Sequence, residues 1–155
     1  KELYLYLWEN CARFTIEELT RSGCYEQKDL FEAMYKGTQA KVRIMRRYPE
    51  IGKFTLKVYY EKDPEVRADI QKSIAKYADF KQNVKQLNFD SSQFAPGIDI
   101  EMMYNDMYWA SEGYIWEKIQ DEKYDVDMME RDFLKMVDFW KSIYLRKEGE
   151  HDEGN

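Results

Sequence analysis

Two segments near the C-terminal end of this chain carry apolar residues on more of their circumference than one buried face requires. In residues 99–122 (DIEMMYNDMYWASEGYIWEKIQDE), Ile100, Met103, Met107, Ser111, Tyr114 and Ile115 form one stripe at helical spacing. Met102, Trp109, Gly113 and Trp116 form a second. In residues 125–146 (DVDMMERDFLKMVDFWKSIYLR), Val126, Met129, Phe133, Val137, Trp140 and Tyr144 make a stripe that Met128, Met136, Phe139 and Ile143 widen. A helix that is apolar nearly all round is buried nearly all round. In a domain this small, one side then packs on the core and the other on a second chain. Gly113 costs about 1 kcal/mol against Ala in a helix interior. With Ala110 it forms a small-residue patch that admits another helix closely, from the same chain or a partner. The pattern predicts a four-helix bundle across a twofold axis, the commonest closed symmetry. Its expected interface is Met102, Trp109, Gly113, Trp116, Met129, Phe133, Val137, Trp140 and Tyr144.

The rest of the chain also reads as helices. Residues 1–22 place Tyr4, Leu7, Trp8, Cys11, Thr15 and Leu19 on one face and end at Gly23, a fitting C-cap. No capping residue precedes them, and the expectation is that this is the remainder of a longer protein. Asp29-Leu30-Phe31-Glu32 is a capping-box variant opening a helix that buries Phe31, Met34, Tyr35, Thr38, Val42 and Met45. Arg46 and Arg47 suit its C-terminal dipole, and Pro49 stops it. The run FTLKVYY has strand propensity, but Ile51, Phe54, Thr55, Val58 and Tyr59 fit a helix face and no partner strand exists elsewhere, so a short helix is expected. Asp63-Pro64-Glu65 starts a further helix with Val66, Ile70, Ile74, Tyr77, Val84 and Leu87 on one face. Its Lys72, Lys76, Lys81 and Lys85 read as a solvated face. Residues 88–97 form a loop with Pro96-Gly97. The prediction is an all-α single domain over residues 1–147, with a flexible charged tail at 148–155.

Composition excludes several functions. With 24 basic and 30 acidic residues, net −6, the segment lacks the clustered cations that grip nucleic acid. His151, the single histidine, lies in the tail, which removes a Ser-His-Asp or Cys-His catalytic site and a histidine-bearing di-iron bundle. The glycines are isolated, so no phosphate loop forms, and Cys11 and Cys24 make neither a disulfide framework nor zinc spacing. No catalytic residue, metal or cofactor is expected. No apolar run approaches a membrane span and no signal peptide is recognisable, which makes the cytoplasm the default. The 13 Tyr, 4 Trp and 8 Met suit interfaces and adaptable pockets.

The order of elements resembles the C-terminal regulatory domain of TetR-family transcriptional repressors. The likeness is carried by KELYLYLWENCARFTIEEL, by DLFEAMYKGTQAKVRIMRRYPEIGKFTLKVYY with its Tyr-Pro break, by DPEVRADIQKSIAKYADF, and by DIEMMYNDMYWASEGYIWEKI followed by DMMERDFLKMVDFWKSIYL. It covers nearly all of residues 1–145, although no single motif is decisive. The family's N-terminal helix-turn-helix is absent from this sequence. The resemblance therefore implies a homodimeric, effector-sensing domain that meets DNA only through a separate head, with a ligand altering the spacing of two heads.

It also implies a cavity between head and dimer pair. Trp8, Cys11, Phe31, Tyr35, Thr38, Tyr59, Tyr77, Asn105 and Tyr108 are the expected lining, suited to a small apolar or cationic aromatic effector, with Glu18 or Asp106 available to pair a cation. Any one of these residues, taken singly, reads more readily as plain core than as a ligand contact. The alternative function is a helical protein–protein adaptor without a small-molecule pocket, using the surplus apolar surface of the closing helices.

Overall fold

Helix boundaries fall where the capping chemistry places them. A computed structural model describes residues 1–77, 89–120 and 125–147, and within them the elements are helical. They are α1 (Glu2–Arg21), α2 (Leu30–Arg47), α3 (Pro49–Tyr59), α4 (Pro64–Tyr77), α5 (Ile100–Gln120) and α6 (Val126–Tyr144), with 3-10 turns at Cys24–Glu26 and Ser91–Gln93. Lys1 caps α1 without a side-chain hydrogen bond. Gly23 follows in the left-handed region at φ 71°, which a residue with a Cβ adopts at a cost. The Asp29 carboxylate accepts from the amides of Phe31 and Glu32, satisfying two of the free donors of the first turn of α2. The Asp63 carboxylate accepts from the Glu65 amide, and Asp125 from the Met128 amide. FTLKVYY is helical, within α3. The expected extension of α4 through Lys81, Val84, Lys85 and Leu87 lies outside the described residues, as does the tail at 148–155.

Two hydrophobic clusters form. In one, Leu30 and Phe31 of α2 meet Phe94 of the loop before α5, Met103 and Met107 of α5, and Val137 and Trp140 of α6. In the other, Trp8 and Ala12 of α1 meet Val58 of α3 and Ile70 of α4. Helix α2 is the shared wall, packing most extensively on α6 and also on α1 and α3. Salt bridges from Arg46 to Asp127 and Glu130, each at 2.6 Å, tie its C-terminal end to the start of α6.

The loop before α5 is a strap. Phe94 is buried, and its neighbours bond in both directions: the Ala95 amide donates to the Tyr144 carbonyl at 2.9 Å and the Arg146 amide to the Gln93 carbonyl at 2.8 Å. The Gln93 side-chain oxygen accepts from the Leu30 amide at 3.1 Å, a further free donor of the first turn of α2. Thus the loop holds the beginning of α2 against the end of α6.

Candidate functional site

Helix α5 begins in the first cluster, with Met103 and Met107 buried, and ends against the second. There the Tyr60 ring lies 5.1 Å from that of Trp116. The Tyr60 hydroxyl donates toward the Glu112 carboxylate at 3.3 Å. Burial first, then Glu112, pushes the Tyr60 phenol well above the ordinary tyrosine range, so it stays protonated. Tyr108 adds to this shift and so belongs to the same group.

A cavity of about 290 Å³ opens at this junction, lined by Tyr60, Glu61, Lys62, Arg67, Ile70, Gln71 and Trp116. The Lys62 ammonium sits over the Trp116 ring, 5.2 Å from its centroid. Glu61 is already engaged: one oxygen accepts from the amides of Lys62 and Asp63, the other from the Tyr4 hydroxyl at 2.9 Å. These bonds, that of the Asp63 amide foremost, hold its carboxyl below the ordinary glutamate value. The Tyr4 phenol is pushed up to about 12 by burial and by Glu61.

Lys41 is a second unusual group. On α2 it is an exposed residue whose neighbours at helical spacing, Met34, Gly37, Thr38 and Met45, are half-buried. Partial burial of the ammonium lowers its pKa below the ordinary lysine value, against the opposing influence of Cys24 and Glu112. In the unfolded chain this lysine remains charged up to about 10.5, so folding works against its protonation below that pH. Lys41→Met is expected to stabilise the domain at pH 7. Solvent still reaches the side chain, which limits the gain to about 1 kcal/mol. That corresponds to about 2–4 °C in Tm for a domain of this size. The advantage should shrink as pH rises toward 10.5, which thermal unfolding of both proteins across pH would show.

The expected pocket residues disperse. Trp8 is buried in the α1–α3–α4 cluster, its indole N–H donating to Ser73 Oγ at 2.8 Å. Phe31 is fully buried in the other cluster, edge-on to Phe94. Tyr35 bridges helices, its hydroxyl donating to Asp138. These three are structural, not cavity lining, because each is spent on packing or on an inter-helix bond. Cys11, Thr38 and Asn105 are half-buried, and burial raises the Cys11 thiol, which makes it a poor nucleophile. Of the nine, Tyr108 reaches the Tyr60–Glu112 group; the side chains of Tyr59 and Tyr77 lie outside the described residues. Glu18 pairs with Arg21 and Asp106 accepts from Tyr144, so neither is free for a cation. Sequence reading missed Tyr60, Lys62, Arg67 and Glu112.

The expected interface divides between two sides. Met102, Trp109 and Trp116 are exposed (55%, 57% and 37%), and a Cβ on Gly113 would meet nothing within 4 Å. Met129, Val137 and Trp140 are instead buried within the chain, because their stripe is the one α6 turns toward α2. Phe133 packs on Tyr114, and the Tyr144 hydroxyl donates to Asp106. The outward apolar residues of α6 are Phe139 and Ile143.

Among the described residues no group of three or more potential metal ligands occurs, and no helix is long and apolar enough to cross a membrane. No protein-family model, curated protein or solved structure matches this chain.

Proposed function

We propose that this chain is the effector-sensing, homodimerising domain of a TetR-like cytoplasmic regulator, and not an enzyme. The observation that carries the reading is the outward face of α5. Met102, Trp109 and Trp116 recur at seven-residue spacing, the repeat of a helix–helix seam, with bare Gly113 between the two tryptophans. Phe139 and Ile143 add exposed apolar surface on α6. A second copy presenting the same face would complete a four-helix bundle. In this reading DNA contact belongs to a separate N-terminal head, and a small effector with an aromatic or apolar body biases the spacing of two heads by binding one spacing better. Exposed Leu3, Tyr6 and Leu7 on the first turns of α1 supply a surface for such a head to rest on.

Sedimentation velocity of the full chain at micromolar concentration tests the pairing. A dimer supports it and a strict monomer overturns it. The space between α1 and α4 is filled by Trp8, Ala12, Val58 and Ile70, and this solid packing favours the second reading, an adaptor whose α5 face binds a different protein. A monomer would select that reading.

A further inference from the structure

We propose that the cavity beneath the α3–α4 turn binds a small planar aromatic acid, with its ring against Trp116 and its carboxylate on Lys62 and Arg67. The proposal rests on the effector reading only in naming what the effector is. The apolar part of the site is aromatic and firm: Trp116 stands 5.1 Å from Tyr60, and Ile70 behind them is 2% exposed. A volume of about 290 Å³ lies at the small end of ligand pockets, enough for a fused bicycle with a short acidic arm.

Charge decides the sign of the ligand. The cavity's carboxylate, Glu61, spends both oxygens on the turn and on Tyr4. Lys62 and Arg67 form no salt bridge among the described residues, although both are exposed at the mouth. An arginine fork pairs a carboxylate through two parallel hydrogen bonds, and an ammonium beside it adds a point charge. A cationic aromatic ligand, by contrast, meets two like charges, Lys62 and Arg67, at the mouth. The cavity thus favours an anion over the apolar or cationic effector expected of an aromatic lining.

Calorimetric titration of the full chain with indole-3-acetate and with tryptamine, the same ring carrying opposite charge, tests this. Indole-3-acetate should bind and tryptamine should bind at least tenfold more weakly. Arg67→Ala and Lys62→Ala should each weaken the acid about tenfold, the size of one charge-assisted hydrogen bond, and the double variant should abolish it. Both positions are exposed, and circular dichroism checks that the variants stay folded. Equal binding of the two probes, acid binding unmoved by the double variant, or no acid binding at all overturns the proposal. The outcome separates from that of the pairing reading: a dimer that ignores the acid sinks this site alone, and a monomer that binds it sinks the pairing alone.

Discussion

Phe31→Ala should destabilise the domain by about 3–5 kcal/mol, the cost of emptying a well-packed aromatic site. A domain of this class has only about 5–15 kcal/mol in all, so the variant sits near the limit of folding. Phe31 has no exposed surface and packs with Leu30, Phe94, Met103, Met107, Val137 and Trp140, which come from α2, the strap, α5 and α6. Because these neighbours belong to several elements, they have little freedom to collapse into the hole. The partly exposed Tyr35, one turn further along α2, provides the contrast. Tyr35→Phe removes a hydroxyl bonded to Asp138 and should cost less than about 1 kcal/mol. Urea unfolding at 25 °C measures both. A small loss for Phe31→Ala would mean that the site is already loosely filled, as expected of a ligand cavity and not of a core.

That contrast shows where the sequence was readable. Helix starts depend on residues within a few positions of one another, so Asp29 and Asp63 announced α2 and α4 correctly. Periodicity likewise identified the all-helical class and the two-sided apolar character of α5. It did not say which side of α6 faces inward, since both sides carry large apolar residues. Burial of Met129, Val137 and Trp140 follows from packing against α2, a contact between distant parts of the chain. The partners of the tyrosines were illegible for the same reason. Composition could not show that the hydroxyls of Tyr4, Tyr35, Tyr60, Tyr114 and Tyr144 each donate to a carboxylate distant in the chain. Such a bond ties helices together, and one member gives no local hint of the other. The cavity was invisible because Trp116 is brought to Tyr60 and Ile70 only by the fold.

Trp109→Glu should convert the proposed dimer into a monomer, weakening self-association at least 100-fold while leaving the fold intact. Trp109 is 57% exposed, so its replacement removes little from the chain's own core and should change monomer stability by no more than about 0.5 kcal/mol. In a twofold interface every substitution occurs twice, and each copy would exchange a large apolar anchor for a carboxylate to be buried without a partner. Loss of one tryptophan anchor commonly costs 2 kcal/mol or more, and 2.8 kcal/mol already amounts to about 100-fold in Kd. Trp140→Ala should show the opposite pattern: its buried side chain holds the monomer together, so Tm falls at every concentration. Sedimentation velocity combined with unfolding at several protein concentrations separates the two, because dimer dissociation makes Tm concentration-dependent and core loss does not. If Trp109→Glu remains dimeric, the pairing surface is not the Met102–Trp109–Trp116 face. Phe139 and Ile143 on α6 would then be the next residues to charge.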